Sequence, residues 1–458
     1  MIAELNGLNT GQKEAFDLLK EFISVKDGSM FILKGYAGTG KTFLVKRLIQ
    51  YLNRTQPKSK IAVTAPTNKA VKVLSAASSI KDYRITYQTI HKLLGLTEEI
   101  TNDGIQTFTR KNQSENQIEK FHYLIVDEVS MLNDELFVEL QTYCRKLKII
   151  FMGDPAQIPP VNKADCIPFN EEKKILYDFK EYTLTEIMRQ NLDNPIVASS
   201  FILRNNLTKL NPIYDIQTNV NKIGNGVIRI DSNKKDDRDK AMSLLNEYFN
   251  CEEFKNDADY AKVIAWRNVT IEQTNTIIRG LIFGPNIPKI VPDEKLIANK
   301  PIMDGSIIVF STSDEFEVTE CEIDVDSIKV DGEYIDLQYY LCTVKAIDIE
   351  GKEYTRTIDV LHEDSENTFK KVLASLKEVA KKTKGANRSW LRYYEFMRRF
   401  ADVNYNYAIT CHKAQGSTYK NVFIIEDDID MNSNIVERNR IKYTSYSRPT
   451  SKLFVLKR

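Results

Sequence analysis

Eight consecutive residues, Gly35-Tyr36-Ala37-Gly38-Thr39-Gly40-Lys41-Thr42, carry the spacing G-x-x-x-x-G-K-[ST]. The chemistry of that arrangement is phosphate capture. Gly35, Gly38 and Gly40 let the backbone curl, Thr39 sits within the curl, and several N–H groups then point inward at a helix start. Lys41 supplies a point charge for the β- and γ-phosphates, and the Thr42 hydroxyl suits Mg²⁺. The loop needs a strand leading in and a helix leading out. Met30-Phe31-Ile32-Leu33 is an apolar run of strand length, and Phe43, Leu44, Leu48 and Ile49 recur at helical spacing. The expected ligands are therefore a nucleotide and Mg²⁺.

A second group of residues could act on a bound nucleotide. Tyr123-Leu124-Ile125-Val126 reads as a buried strand, and it ends in Asp127-Glu128. Asp127 is suited to hold Mg²⁺ through water, and Glu128 to orient and deprotonate an attacking water. Ile149-Ile150-Phe151-Met152 is a further strand, followed by Gly153-Asp154-Pro155-Ala156-Gln157. The Gln157 amide can reach a γ-phosphate or the lytic water, and the neighbouring prolines stiffen its loop. Arg189 is a candidate cation from the far side of a cleft. Gln12 opens a helix 23 residues before Gly35. Its amide can read the adenine edge, or it can simply be solvated on a first helical turn.

A third group suits a polymer backbone. Ile61 to Ala65 is a strand that breaks at Pro66, and Thr67, Asn68 and Lys69 follow it. Polar residues at the carboxyl end of a parallel strand lie where ligands bind, although the same residues also make a capped helix start. Thr89 and His91 offer the same choice. Between Gly95 and Lys120 the composition turns polar, and Asp103-Gly104 is a hairpin signal. Phe108, near the outer end of this expected protrusion, either stacks on a base or wedges a duplex junction, or folds back on its own hairpin.

These segments need a large framework, and 458 residues provide one, with two to four domains expected. The 64 basic and 63 acidic residues leave a net charge of +1. Any nucleic-acid surface must therefore be a local groove. Six scattered cysteines without a C-x-x-C, and only four histidines, argue against a zinc site or a disulfide framework. The chain reads as reduced and cytoplasmic, without a signal pattern or an apolar run of membrane length.

Taken in order, these segments resemble the successive motifs of superfamily 1 helicases, and the second half continues the series. Val263-Ile264-Ala265-Trp266-Arg267-Asn268 looks like the strand opening a second motor domain. Thr410-Cys411-His412-Lys413-Ala414-Gln415-Gly416-Ser417-Thr418 resembles motif V, and Tyr443-Thr444-Ser445-Tyr446-Ser447-Arg448 resembles motif VI. The wording is most similar to the RecD-like branch. A P-loop kinase or nucleotide switch would lack this second half.

The resemblance implies an α/β fold with two RecA-like parallel-sheet motor domains, ATP between them, and Arg189 and Arg448 as arginine fingers in cis. It implies nucleotide contacts from Gln415 and Gly416. It implies single-stranded DNA touched by Pro66, Thr67, Asn68, Thr89, His91, Trp266, Thr410, His412 and Lys413. It implies 5′-to-3′ translocation with unwinding at single-strand/duplex junctions. The alternative is a translocase that strips proteins without unwinding. A monomer suffices, in the cytoplasm of a bacterium or phage-infected host, with a single-strand-binding or replication protein as an expected partner.

The expected boundaries are 1–95 and 121–188 for the first motor domain, with 96–120 as a hairpin insertion. For the second they are 189–285 and 405–458, with 286–404 as an SH3-like barrel plus helices. The barrel rests on short runs at Ser306–Phe310, Glu317-Val318, Ser327–Val330, Leu341–Val344 and Tyr354–Ile358. Two helical runs follow, Phe369–Lys382 and Ser389–Asp402, in which Trp390, Tyr393, Tyr394 and Phe396 interleave with Arg392, Arg398 and Arg399. Such a mixture can grip DNA or a partner, but the aromatic residues are expected to pack inward under a solvated basic face. There are two departures. Asn68 stands where a close member of the branch has histidine. Pro449 follows Arg448 and restricts it to an extended or turn conformation, which is expected to shift the start of its helix.

Overall fold

A computed structural model describes residues 7–25, 29–78, 80, 82–100, 106–110, 117–160, 163–186, 193–213, 217–231, 233–304, 307–330, 333–383 and 387–457. The chain runs through α1 (Thr10–Ser24), β1 (Met30–Gly35), α2 (Lys41–Thr55), β2 (Ile61–Ala65), α3 (Asn68–Ser78), β3 (Ile85–Thr89) and α4 (Ile90–Leu94). The hairpin β4 (Leu96–Ile100) and β5 (Gln106–Arg110) follows. Next come β6 (Tyr123–Val126), α5 (Asp134–Tyr143), β7 (Lys148–Gly153), α6 (Glu171–Lys174) and β8 (Phe179–Leu184). Then follow α7 (Pro195–Asn205), β9 (Asn219–Val220), β10 (Gly226–Asp231), α8 (Lys235–Phe249), α9 (Glu252–Asn256), β11 (Ala261–Ala265) and α10 (Asn268–Phe283). Next are β12 (Lys295–Ala298), β13 (Ile302–Asp304), β14 (Ile307–Phe310), β15 (Glu315–Val330), β16 (Glu333–Ile347), β17 (Glu353–Leu361), α11 (Glu366–Lys382) and α12 (Asn387–Met397). The chain closes with β18 (Val403–Tyr405), β19 (Ala408–Thr410), β20 (Tyr419–Ile425), α13 (Glu426–Asp430), α14 (Ile435–Tyr446) and β21 (Pro449–Lys457).

Two compact units result. The first holds residues 1–94, 116–282 and 407–458, and the second holds 95–115 and 283–406. The first unit contains two six-stranded sheets, ordered β3-β2-β6-β7-β1-β8 and β19-β11-β20-β21-β10-β9. Every pairing in the first sheet is parallel. The second is parallel except where β9 meets β10. The apolar runs seen in the sequence are the inner strands: every residue of β2, β6, β7 and β11 is buried. A parallel sheet covered on both faces demands such runs. Parallel pairing has a second consequence. All the strand ends of the first sheet that carry candidate residues fall on one edge, its carboxyl edge.

Val263 to Asn268 does not open the second sheet. β9 and β10 precede it in the chain, and β11 is the third strand to arrive. The short, polar β9 and the Asn-rich turn before β10 gave no strong strand pattern.

The second unit is mostly antiparallel. Its five-stranded sheet is ordered β17-β16-β15-β12-β18, beside the two-stranded pairs β13-β14 and β4-β5. The short runs expected at Glu317-Val318 and Ser327–Val330 are one 16-residue strand, β15, paired with the 15-residue β16 along nearly its whole length. Trp390, Tyr394 and Phe396 of α12 are buried, as inward packing requires, while Tyr393 is only partly buried against the same side chains. Phe396 joins Leu337, Tyr339, Val372, Leu376 and Phe400 in one apolar cluster. Phe108 lies mid-strand in β5, paired in register with Glu98, rather than at the outer end of the hairpin.

Candidate nucleotide site and strand-end residues

The phosphate loop is built by local rules. Gly38 and Gly40 adopt left-handed backbone, with φ of 81° and 78°, which costs glycine nothing. Gly35 is needed for space: a Cβ there would lie 2.8 Å from Thr39 Oγ1 and 3.0 Å from Lys41 Cγ. Gly40 is the residue before α2 and offers no side-chain cap, which suits a helix start whose N–H groups serve a ligand. The Thr39 hydroxyl donates to Tyr36 O (2.8 Å), and Lys41 Nζ donates to Gly35 O (2.5 Å) and Tyr36 O (3.2 Å).

Gln12 is fully buried, not solvated. Its Oε1 accepts from Asn9 N–H (3.1 Å), Asn9 Oδ1 accepts from Gln12 N–H (2.8 Å), and its Nε2 donates to Thr39 O (2.9 Å). The capping box of α1 thus braces the phosphate loop.

Asp127 and Glu128 follow β6 on the same carboxyl edge. Asp127 Oδ1 accepts from Glu128 N–H (2.8 Å). Burial, with Glu128 beside it, pushes the Asp127 carboxyl up to about 7, and the Lys41 charge opposes the rise. Glu128 itself holds φ 52°, ψ 42°. A glutamate in left-handed backbone costs on the order of 1–3 kcal/mol, and such strain clusters at functional sites.

The loop after β7 leaves the first sheet and packs against the second. Ala156 and Ile158 are buried in the apolar cluster of the second sheet, with Ile196, Tyr443 and Tyr446. Gln157 between them is buried, and its Oε1 has no hydrogen-bond partner among the described residues. Gln415 Nε2 donates to Ile158 O (2.9 Å), and Ile158 N–H donates to Thr444 Oγ1 (3.3 Å). Gly416, at φ 71°, packs so closely that a Cβ would meet Ala70 Cβ at 2.8 Å and Glu128 Cγ at 3.5 Å. The segment resembling motif V therefore lies directly against Glu128 and α3.

Arg448 stands at the end of a helix, not near its start. α14 stops at Tyr446, and Pro449 opens β21. Its buried guanidinium donates to Thr444 O (2.9 Å), Ser417 O (3.0 Å) and Ser447 Oγ (2.9 Å). Arg189 and the Phe108 side chain lie outside the described part of the chain.

Three strand-end threonines share one local geometry. Thr67 Oγ1 accepts from Ala70 N–H, Thr89 Oγ1 from Lys92 N–H and Thr410 Oγ1 from Lys413 N–H, each at 3.3 Å. Thr67 follows β2, and Thr89 and Thr410 end β3 and β19, so all lie on carboxyl edges. A hydroxyl that accepts in this way keeps its proton for donation. Pro66, Asn68, His91, Trp266, His412 and Lys413 flank them and are all partly exposed. Burial lowers the pKa of His91 and of His412. Lys69 is engaged within the protein, 2.8 Å from Asp259 and 4.7 Å from the Tyr419 ring centre.

Sequence reasoning passed over three residues. Tyr443 was legible only as a letter within its motif. Its hydroxyl accepts from Ala37 N–H of the phosphate loop (3.2 Å) and donates to Asp154 Oδ2. Arg204 of α7 stacks on the Tyr36 ring, 3.4 Å from its centre. Asp428 accepts from the backbone N–H groups of Trp266 (2.8 Å) and Arg267 (2.9 Å), and from Arg267 Nε (2.6 Å), and so fixes the turn after β11. Only Tyr443, five residues before Arg448, had a spacing signal.

Among the described residues, no group of three or more His, Cys, Asp or Glu is arranged to hold a metal unaided. Hard oxygen donors at Thr42 and Asp127 fit Mg²⁺, which commonly completes its shell with water and substrate phosphates. No helix among the described residues is long and apolar enough to cross a membrane.

Residues 20–163 match an AAA domain model, and residues 405–456 match a UvrD-like helicase C-terminal domain. The chain is 30% identical to the ATP-dependent DNA helicase dda of Enterobacteria phage T4, over 91% of this chain and 92% of that protein. It is 27% identical to the uncharacterized protein R530 of Acanthamoeba polyphaga mimivirus, over 97% of this chain and 99% of the other. The solved structure of Pif1 helicase from Candida albicans superposes with a TM-score of 0.48 and 17% identity, covering 98% of this chain and 94% of that one.

Proposed function

Because the chain belongs to the RecD-like branch of superfamily 1 DNA helicases, with the dda helicase of phage T4 as a relative, we infer that it is an ATP-dependent DNA helicase whose two parallel sheets form one motor. The observation that carries this reading is the convergence of Gly416, Gln415 and Tyr443 from the second sheet on the phosphate loop, Glu128 and the Gln157 loop of the first. A kinase or nucleotide switch has no use for a second sheet so placed.

In this reading the phosphate loop, with Gly35, Gly38, Thr39 and Gly40, holds the triphosphate, and Lys41 neutralises it. Thr42 and Asp127 would hold Mg²⁺, which supplies charge neutralisation at the phosphates. Glu128 takes the proton of the attacking water. Gln157 turns its buried amide to the γ-phosphate, Arg448 completes the charge from the second sheet, and Arg189 is assigned as the second arginine finger by the resemblance alone. Arg448 must exchange its present carbonyl partners to do so, so its engagement marks closure. Gln12 acts first as a brace on Thr39, and reading adenine requires one of its present bonds to be exchanged. Gln415 and Gly416 contribute by seating the second sheet against the site.

DNA runs along the two carboxyl edges. Pro66, Thr67, Asn68, Thr89 and His91 form one grip, and Trp266, Thr410, His412 and Lys413 form the other, with threonine hydroxyls donating to phosphate oxygens. Phe108 on the β4-β5 hairpin is the candidate for stacking at the junction. We assign residues 1–95 and 121–188 to the first RecA-like domain and 189–285 and 405–458 to the second. Residues 96–120 and 286–404 are their insertions, the latter an SH3-like element extended by the β15-β16 hairpin. Hydrolysis does work only when each grip changes its DNA affinity between the open and closed states. Family membership supports 5′-to-3′ movement, action as a monomer in a cytoplasmic setting and cooperation with a single-strand-binding protein.

Unwinding of duplexes with 5′ or 3′ single-stranded tails, beside displacement of a protein from the same strands, tests the reading. Opening of the 5′-tailed duplex alone is expected. Displacement without unwinding would make the protein a translocase, and opening from the 3′ tail would reverse its direction.

A further inference from the structure

The Tyr443 hydroxyl is the one group of α14 seen to bond both to the phosphate loop and to the segment carrying Gln157. It is fully enclosed, with the residue 1% exposed. It accepts from Ala37 N–H on one side and donates to Asp154 on the other. Asp154 in turn shapes its loop, because its Oδ1 accepts from Ala156 N–H (2.9 Å). Gln157 follows directly, with its backbone N–H on Asp154 O (3.2 Å). Five residues after Tyr443 stands Arg448. Beside this bridge, Arg204 stacks on Tyr36, so two successive residues of the phosphate loop are held from helices of the second sheet.

We propose that Tyr443 is a positioning residue for ATP hydrolysis, whose hydroxyl sets the spacing between the phosphate loop and the Gln157 amide as the second sheet moves. The proposal rests on the reading of this cleft as an ATPase. A movement of α14 that carries Arg448 toward the γ-phosphate also moves the Tyr443 oxygen, and with it Ala37 and Asp154. The phosphate loop, the sensing amide and the arginine therefore arrive together. Losing the hydroxyl leaves the phosphate contacts in place but uncouples their alignment. The cost falls on turnover rather than on nucleotide affinity, which is how loss of an interaction made in the transition state differs from loss of uniform binding.

The same helix contains a matched control. Tyr446 is equally buried, and its hydroxyl donates to Glu426 Oε2 (3.0 Å), away from the phosphate loop. The experiment uses the full chain with saturating oligo(dT), measuring kcat and KM for ATP together with thermal unfolding. Tyr443→Phe is expected to lower kcat by about tenfold with KM within about twofold. Tyr446→Phe is expected to lower the melting temperature while keeping wild-type kcat. Asp154→Ala leaves the hydroxyl but removes its acceptor, and it should reproduce the kcat loss. Wild-type kcat in Tyr443→Phe, a change in KM alone, or an equal kcat loss in both tyrosine variants would overturn the proposal. A wild-type protein with no oligo(dT)-dependent turnover would instead remove the motor reading on which it stands.

Discussion

At the scale of single residues, the site is a set of groups that can each do one thing because of where the backbone puts them. Glu128 is held in left-handed backbone beside Gly416. Replacing its carboxylate with an amide keeps the shape and removes the proposed base. Glu128→Gln is expected to bind ATP as tightly as the natural protein and to lose turnover by roughly 10²–10⁴-fold, the worth of a positioned general base. Nucleotide affinity and steady-state hydrolysis, measured side by side, check this. Near-normal turnover would remove Glu128 from the role. Gly416→Ala is a different experiment. The added methyl meets Ala70 Cβ at 2.8 Å, in a φ that L-residues avoid. A strain of about 1–2 kcal/mol is expected to separate the two sheets before it unfolds either. DNA stimulation of the ATPase should fall further than the basal rate does.

Much of this scale was legible in the sequence. Lys41, Thr42, Asp127 and Glu128 belong to runs in which an apolar strand ends abruptly in polar residues, and a parallel sheet delivers such ends to one edge. The contacts of Tyr443 and Arg204 and the bracing role of Gln12 were not legible. Their partners lie 406, 168 and 27 residues away in the chain. No local pattern records a contact of that kind.

At the scale of elements, the second sheet depends on α14. Lys442 on this helix is 1% exposed. Its Nζ lies 2.6 Å from Glu426 Oε1 and 2.5 Å from Asp430, while Lys457 closes on both carboxylates at 3.0 and 3.1 Å. A buried pair is a poor source of net stability, but breaking one strands a charge. Lys442→Met is therefore expected to cost about 3–5 kcal/mol in urea unfolding. The exposed pair Lys381–Glu378 on α11 is worth only about 0–1 kcal/mol, so Lys381→Met serves as the comparison. Equal effects would mean that the cluster is solvated.

The misreading of β15 belongs to this scale too. Glu320, Glu322, Asp324 and Asp326 alternate with Cys321, Ile323 and Val325, a clear period of two. Ile323 and Val325 are nonetheless half exposed. Pairing with β16 holds this stretch as a strand, and burial does not. Its acidic face therefore read as a break between short strands.

At the scale of the whole molecule, the central claim is that the two parallel sheets act as a single ATP-driven machine on single-stranded DNA. α3 joins the proposed DNA grip of the first sheet to the proposed nucleotide site, since Asn68 starts that helix and Ala70 packs against Gly416. DNA bound at the start of α3 should therefore be felt at Glu128 through Gly416. The most direct test is steady-state ATP hydrolysis with Mg²⁺, in the absence and presence of oligo(dT). Turnover that rises at least tenfold and saturates with oligo(dT), about what a coupling of 1–3 kcal/mol provides, is the predicted result. Turnover indifferent to oligo(dT) at every concentration would contradict the claim, because the site would then be an ATPase with no line to the DNA.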